Sequence, residues 1–164
     1  MLNVFLASRR RVLGWVFVAC VALLAFALFL QHVVGLEPCP MCIVQRYAFI
    51  VIGLIAGLSA LPKSRGVHLV GVVLAVVAAG FGAFVAARQS FLQWYPPEFA
   101  SCSRDFYGMI ETFPLRRAIP MIFRGSGDCT AIDWTFLGLS IANWSFIAFV
   151  ALAVALLFAL VRRR

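Results

Sequence analysis

The sequence predicts an all-α membrane protein, a bundle of four transmembrane helices with a long extracytoplasmic loop. Three observations carry that prediction. Of 164 residues, 64% are hydrophobic and 12% charged, against about 45–50% and about 25% in soluble domains. Four long apolar runs divide the chain. The arginines and lysines outside those runs are distributed asymmetrically. These proportions exclude a soluble globular enzyme, a disordered chain and a nucleic-acid binder.

The four runs are residues 12–35, 43–61, 67–87 and 142–161. Only one Asp, Glu, Lys or Arg falls within them, Arg46 in the second run. Each is about 19–24 residues long. At about 1.5 Å per residue, such a length crosses a hydrocarbon core about 30 Å thick. Backbone groups in lipid must pair within the segment, so each run is expected to be a helix. Arg9, Arg10 and Arg11 followed by Ala25-Phe26-Ala27 mimic a cleaved signal, and Val18-Ala19-Cys20 mimics a lipoprotein site. The apolar run continues past both, which fits an uncleaved anchor.

Cationic residues set the expected orientation. Arg9, Arg10 and Arg11, then Lys63 and Arg65, then Arg162, Arg163 and Arg164 all fall on one side, with no acid among them. All six acids fall on the other side. Both termini and the loop at 62–66 are therefore expected in the cytoplasm. The net charge of +8 becomes a topology signal, with some attraction to anionic lipid of the bilayer.

Two segments face the other side, a short loop at 36–42 and a long one at 88–141. A loop this long is usually functional or disordered, and this one is too aromatic for disorder. Phe106, Met109, Ile110 and Phe113 fall at helical spacing, while Pro114 and Pro120 confine any helix to short pieces. Two readings stand: a short amphipathic helix lying in the interface, or an ordered loop packed on the bundle. Trp94, Tyr95, Trp134 and Trp144 are expected in an interfacial belt. Gly53 with Gly57, and Gly71, Gly80 and Gly82, are expected at close helix contacts.

The cysteines are the sharpest feature. Cys39-Pro40-Met41-Cys42 opens the second helix, and Cys102 and Cys129 lie in the long loop. All four fall on the oxidising side, where disulfides persist. Cys20 falls within the first helix and reads as a small packing residue. A CxxC ring is too small to stabilise much, because cross-link stabilisation grows with loop length. Redox chemistry accounts for the pair better. Cys39 falls at the N-cap, Pro40 at the first helical position and Cys42 in the first turn, where the helix dipole favours a thiolate. Arg46, one turn deeper, adds a fixed cation. An arginine at that position can also snorkel to the headgroups, but an ionisable residue inside a span is a functional candidate by default. Zinc is not expected, because tetrahedral sites favour two closely spaced pairs and Cys102 and Cys129 are far apart.

Two cysteine pairs at a membrane surface suggest a relay. A loop pair can exchange with a soluble protein through a mixed disulfide. A pair at the bilayer edge can pass electrons to a carrier dissolved in lipid. No dinucleotide fingerprint, CxxCH or iron–sulfur spacing is present. By elimination, the acceptor is expected to be a lipophilic two-electron carrier, a quinone. The alternative is a non-enzymatic, disulfide-stapled membrane scaffold or thiol sensor.

The sequence resembles the disulfide bond formation protein B (DsbB) family of bacterial inner-membrane quinone reductases. The resemblance covers nearly the whole chain. It is carried by Cys39-Pro40-Met41-Cys42 with Gln45-Arg46-Tyr47, by Pro97-Glu98-Phe99-Ala100-Ser101-Cys102, and by Gly127-Asp128-Cys129 with Trp134. Vitamin K epoxide reductase-like enzymes share the bundle and a CxxC, but theirs lies near the last helix. The resemblance implies a protein-disulfide:quinone oxidoreductase that reoxidises a periplasmic DsbA-like dithiol protein. Cys102 would be captured by that partner, with Pro97, Phe99, Ala100 and Ser101 docking in its groove, and Cys129 would pair with Cys102. Cys39 would exchange with the loop pair. Cys42 would meet the quinone, ubiquinone or menaquinone, and Arg46 would hold its oxygen. The chain departs from the family at Gln45, where an acid is expected, and in 138–144, which lacks a proline before the last helix.

Overall fold

The computed structural model of the protein describes residues 8–36, 38–96, 132 and 134–161. Among these are four long helices: α1 (Arg9–His32), α2 (Pro40–Ala60), α3 (Arg65–Trp94) and α4 (Ile141–Val161). Two short strands, β1 (Thr135–Phe136) and β2 (Leu139–Ser140), precede α4. Each helix is long and apolar enough to cross a membrane, and the chain is a multi-pass all-α membrane protein. Residues such as Leu54, Leu58, Val77, Phe84 and Val154 stay exposed on the outside of the bundle. In water such a surface would be an interface in waiting; here it faces lipid.

Local chemistry defines the helix ends. The Ser8 hydroxyl caps α1 by accepting from Arg11 N at 3.4 Å. Gly35, at φ 79°, lets the chain turn away after α1, and Leu36 N donates to Leu30 O at 3.2 Å. This is the glycine-terminated ending that satisfies late carbonyls. Cys39 is the N-cap of α2 with Pro40 following it inside the helix, as the sequence predicts.

At the opposite end of the bundle, the arginines read as topology signals also pack. Arg10 Nε donates to Ala60 O at 2.9 Å, at the end of α2. Arg9 donates to Ala159 O at 3.1 Å and to Leu160 O at 3.4 Å, at the end of α4. Final-turn carbonyls have no helical partner and carry partial negative charge, so a guanidinium satisfies both needs. His68 reaches Pro62 O at 2.8 Å and ties the short loop to α3.

The helices pack in chain order, with α4 chiefly on α3 and a narrower seam between α1 and α4. Leu13, Cys20, Ile52, Ala75, Phe149 and Leu156 are fully buried in the core. Phe49 and Phe149 stack at 4.0 Å with an interplanar angle of 8°. Glycines admit these contacts. Gly53 and Gly57 of α2 face Cys20 and Phe17 of α1, and Gly82 of α3 leaves room for the Phe149 ring. Gly80, expected to serve in the same way, faces open space.

Two further expectations need correction. Helix α3 does not stop at Ala87 but continues to Trp94. The apolar run ends at Arg88, yet a helix tolerates a cation whose head finds a surface position: Arg88 lies over the Phe91 ring, 5.8 Å from its centre. The segment before α4 holds a small antiparallel hairpin, pairing Thr135 with Ser140 and Phe136 with Leu139. Leu137 and Gly138, at φ 53° and 78°, form the two-residue turn with both angles positive that hairpins favour. Trp94 and Tyr95 stand exposed at the end of α3, and Trp134 and Trp144 are half-buried and border a cavity. The interfacial segment expected within 104–123 lies outside the described residues.

Candidate functional site

The site is built where the N-terminal end of α2 meets the C-terminal half of α3. Cys39 and Cys42 fall on one side of the first turn of α2. Cys39 Sγ accepts from Cys42 N at 3.2 Å, so the sulfur itself caps the helix where the dipole is positive. Cys39 is buried and Cys42 half-buried.

The group that reaches both sulfurs is Gln89. Its Nε2 lies 3.2 Å from Cys39 Sγ and 3.2 Å from Cys42 Sγ. Its Oε1 accepts from Gln45 Nε2 at 2.6 Å and lies 3.7 Å from Cys42 Sγ. Both glutamines are 3% exposed. One turn further along α3, Gln93 Oε1 accepts from Ser140 Oγ at 2.6 Å, which ties β2 to the same helix face.

Arg46 lies one turn below Cys42 and is half-buried. Its guanidinium donates to Gln31 Oε1 and, at 3.2 Å, to Ala27 O, both on α1. The side chain therefore turns across the bundle rather than out to the lipid headgroups.

These groups border one cavity of about 800 Å³. Cys39, Cys42, Arg46, Gln31, Gln45, Gln89 and Gln93 supply polar lining; Leu23, Phe26, Leu30, Phe49, Ile147 and Ala148 supply apolar walls. An aromatic group closes one side. Trp134 stacks on Phe136 at 6.0 Å and 10°, meets Phe26 edge-on at 6.3 Å, and Phe136 meets Trp144 at 6.1 Å. Trp144 Nε1 donates to Phe136 O at 3.1 Å, which pins the hairpin to α4. The volume lies within the range of about 300–1,000 Å³ typical of small-molecule sites.

The chain matches the profile of the family described as Disulfide bond formation protein DsbB across residues 9–159. The chain belongs to the DsbB family. Among relatives named Disulfide bond formation protein B, the protein of Polaromonas sp. strain JS666 is 73% identical over 153 residues, covering 93% of this chain and 91% of that one. The protein of Acidovorax sp. strain JS42 is 67% identical over 162 residues, covering 99% and 93%. That of Azoarcus sp. strain BH72 is 54% identical over 159 residues, covering 96% and 95%. DsbB membership assigns the chain a role in disulfide bond formation and makes it an oxidoreductase.

Of the residues expected at the DsbB site, the structure brings Cys39, Cys42 and Arg46 to one cavity. Cys102, Cys129, Pro97, Phe99, Ala100 and Ser101 lie outside the described residues. Sequence reasoning missed Gln89, Gln31 and Gln93. The usable signal was the pair Gln89 and Gln93, two polar residues four apart just beyond an apolar run. Ending the helix at Ala87 placed both in a loop.

Proposed function

We propose that the chain is a protein-disulfide:quinone oxidoreductase of the bacterial inner membrane, with both termini in the cytoplasm and the four cysteines at 39, 42, 102 and 129 on the periplasmic side. The observation that carries this reading is the shared cavity. A cysteine pair at a helix N-terminus and a guanidinium border one largely apolar chamber inside a membrane bundle. Such a chamber suits a lipophilic ring with polar oxygens, and the residues present fit a ubiquinone or menaquinone head group. Arg46, with Gln31 holding it, would bind that head group. When bound, the quinone supplies a two-electron, two-proton acceptor.

The chain's own work is sulfur exchange. A periplasmic DsbA-like dithiol attacks the Cys102–Cys129 disulfide at Cys102, with Pro97, Phe99, Ala100 and Ser101 docking the partner. A mixed disulfide forms and the partner's second thiol resolves it. The reduced loop pair then attacks the Cys39–Cys42 disulfide at Cys39. Each exchange breaks one S–S bond and forms another, so no electrons leave the sulfurs. Reoxidation of the Cys39–Cys42 dithiol forms one S–S bond and releases two electrons and two protons to the acceptor. The dipole of α2 and the amide of Gln89 favour charge on sulfur before that step. The fixed cation of Arg46 favours negative charge developing on the other side of it.

The test is direct. Purified full-length protein in detergent is mixed with a reduced DsbA-type protein and a short-chain quinone, and quinone absorbance is followed. Loss of absorbance that needs both proteins is the expected result. No turnover, and no partner trapped by a resolving-cysteine variant, would leave a stapled scaffold or thiol sensor instead.

A further inference from the structure

We propose that Gln45 is a positioning residue that locks the Gln89 carboxamide with its nitrogen toward the Cys39 and Cys42 sulfurs. The inference rests on the reading above only in taking those sulfurs as the reacting atoms.

A primary carboxamide is nearly symmetric in shape and opposite in polarity at its two ends. Rotated by half a turn, Gln89 would fill the same space with its oxygen on the sulfurs. The two orientations differ in what they favour. An amide nitrogen offers two N–H bonds, one for each sulfur at 3.2 Å, while Oε1 stands farther off and accepts from Cys42 Sγ only at 3.7 Å; donors favour the charged acceptor. A carbonyl oxygen favours sulfur that keeps its proton. The choice is made at the other end of the amide, where Gln45 Nε2 donates to Gln89 Oε1 at 2.6 Å. Both glutamines are buried, and a buried amide turned from its partner loses a hydrogen bond it cannot recover from solvent.

Among the described residues, the surrounding charges leave this role to the amide. On α2, Arg46 gives its hydrogen bonds to Gln31 and Ala27 of α1. On α3, Arg88 lies over Phe91. On α1, His32 ends the helix. The described length of α4 contains no Asp, Glu, Lys, Arg or His.

The chemistry predicts slowing in the same direction but to different degrees for two near-isosteres at position 45. Methionine removes the donor and frees Gln89 to turn. Glutamate can only accept, so Gln89 would turn its nitrogen to the carboxylate and its oxygen to the sulfurs.

The test uses reduced full-length protein in detergent, with no quinone or partner added. Alkylation of Cys42 by iodoacetamide is followed across a pH series, with the site resolved by mass spectrometry. Loss of a hydrogen bond to a charged group predicts about tenfold slower alkylation at neutral pH in Gln89→Met, and about threefold in Gln45→Met. The Gln45→Met/Gln89→Met double variant should match Gln89→Met alone, because Gln45 acts through Gln89. Losses that multiply in the double variant, or an unchanged Gln89→Met profile, would overturn the assignment. If a methionine variant fails to fold, Gln45→Glu replaces it: slowing beyond threefold is expected, and wild-type reactivity overturns the assignment. Quinone turnover measured in parallel separates the two readings. Unmoved thiol reactivity with normal turnover sinks the positioning role alone. The expected reactivity pattern in a protein that reduces no quinone sinks the oxidoreductase reading alone.

Discussion

Cys42 and Arg46 lie one helical turn apart, yet they look to different helices: the sulfur to Gln89 of α3 and the guanidinium to Gln31 and Ala27 of α1. Their variants should therefore fail in different ways. Cys42→Ser removes the sulfur that closes the Cys39 disulfide and should abolish quinone reduction outright in the absorbance assay. Arg46→His keeps both sulfurs and weakens one charged contact. An apparent KM for quinone raised about tenfold or more, with a smaller change in kcat, is the expected outcome in a quinone titration. Unchanged kinetics would make Arg46 a structural tie to α1. The CxxC and Arg46 were legible in the sequence, because a cysteine pair at a helix start and a lone cation in an apolar run are local patterns. Gln89 was not, because its role exists only once α3 lies beside α2. A glutamine carries no periodic signal to announce that.

The helices were legible in number and order, because each must bury about 20 apolar residues in lipid. Their ends were not, and α3 shows why. Hydropathy reports where the chain leaves the hydrocarbon, whereas the helix stops where its backbone bonds stop. Beyond Ala87 the helix persists with Gln89, Ser90 and Leu92 buried, and that extra length forms one wall of the site. The hairpin before α4 was equally hidden, since two-residue strands carry no alternation to read. Below the site, α3 and α4 approach closely at a small residue. A Cβ at Gly82 would overlap the Phe149 ring, itself stacked on Phe49. Gly82→Val should destabilise the bundle by about 1–3 kcal/mol, the usual cost of overpacking. Thermal unfolding in detergent would show this as a lowered midpoint. Gly80→Val, two residues away and facing open space, should leave that midpoint in place.

For the molecule as a whole, Arg9 and Arg10 bond at the ends of α4 and α2, the opposite end of the bundle from Cys39 and Cys42 at the start of α2. A membrane-impermeant maleimide added to intact spheroplasts, after reduction, should label cysteines from outside, and Cys42→Ser should reduce that labelling. Labelling only after lysis would invert the orientation and remove access to any periplasmic partner. The arginine contacts at the other end bear on how the bundle is assembled. Arg9 bonds to Ala159, a residue 150 positions away. Translation delivers residue 9 well before residue 159, so this clasp has no acceptor until α4 has threaded into the bilayer. A nascent chain halted after α3 would expose that guanidinium beside an open seam, and quality-control proteases would meet an unlatched bundle.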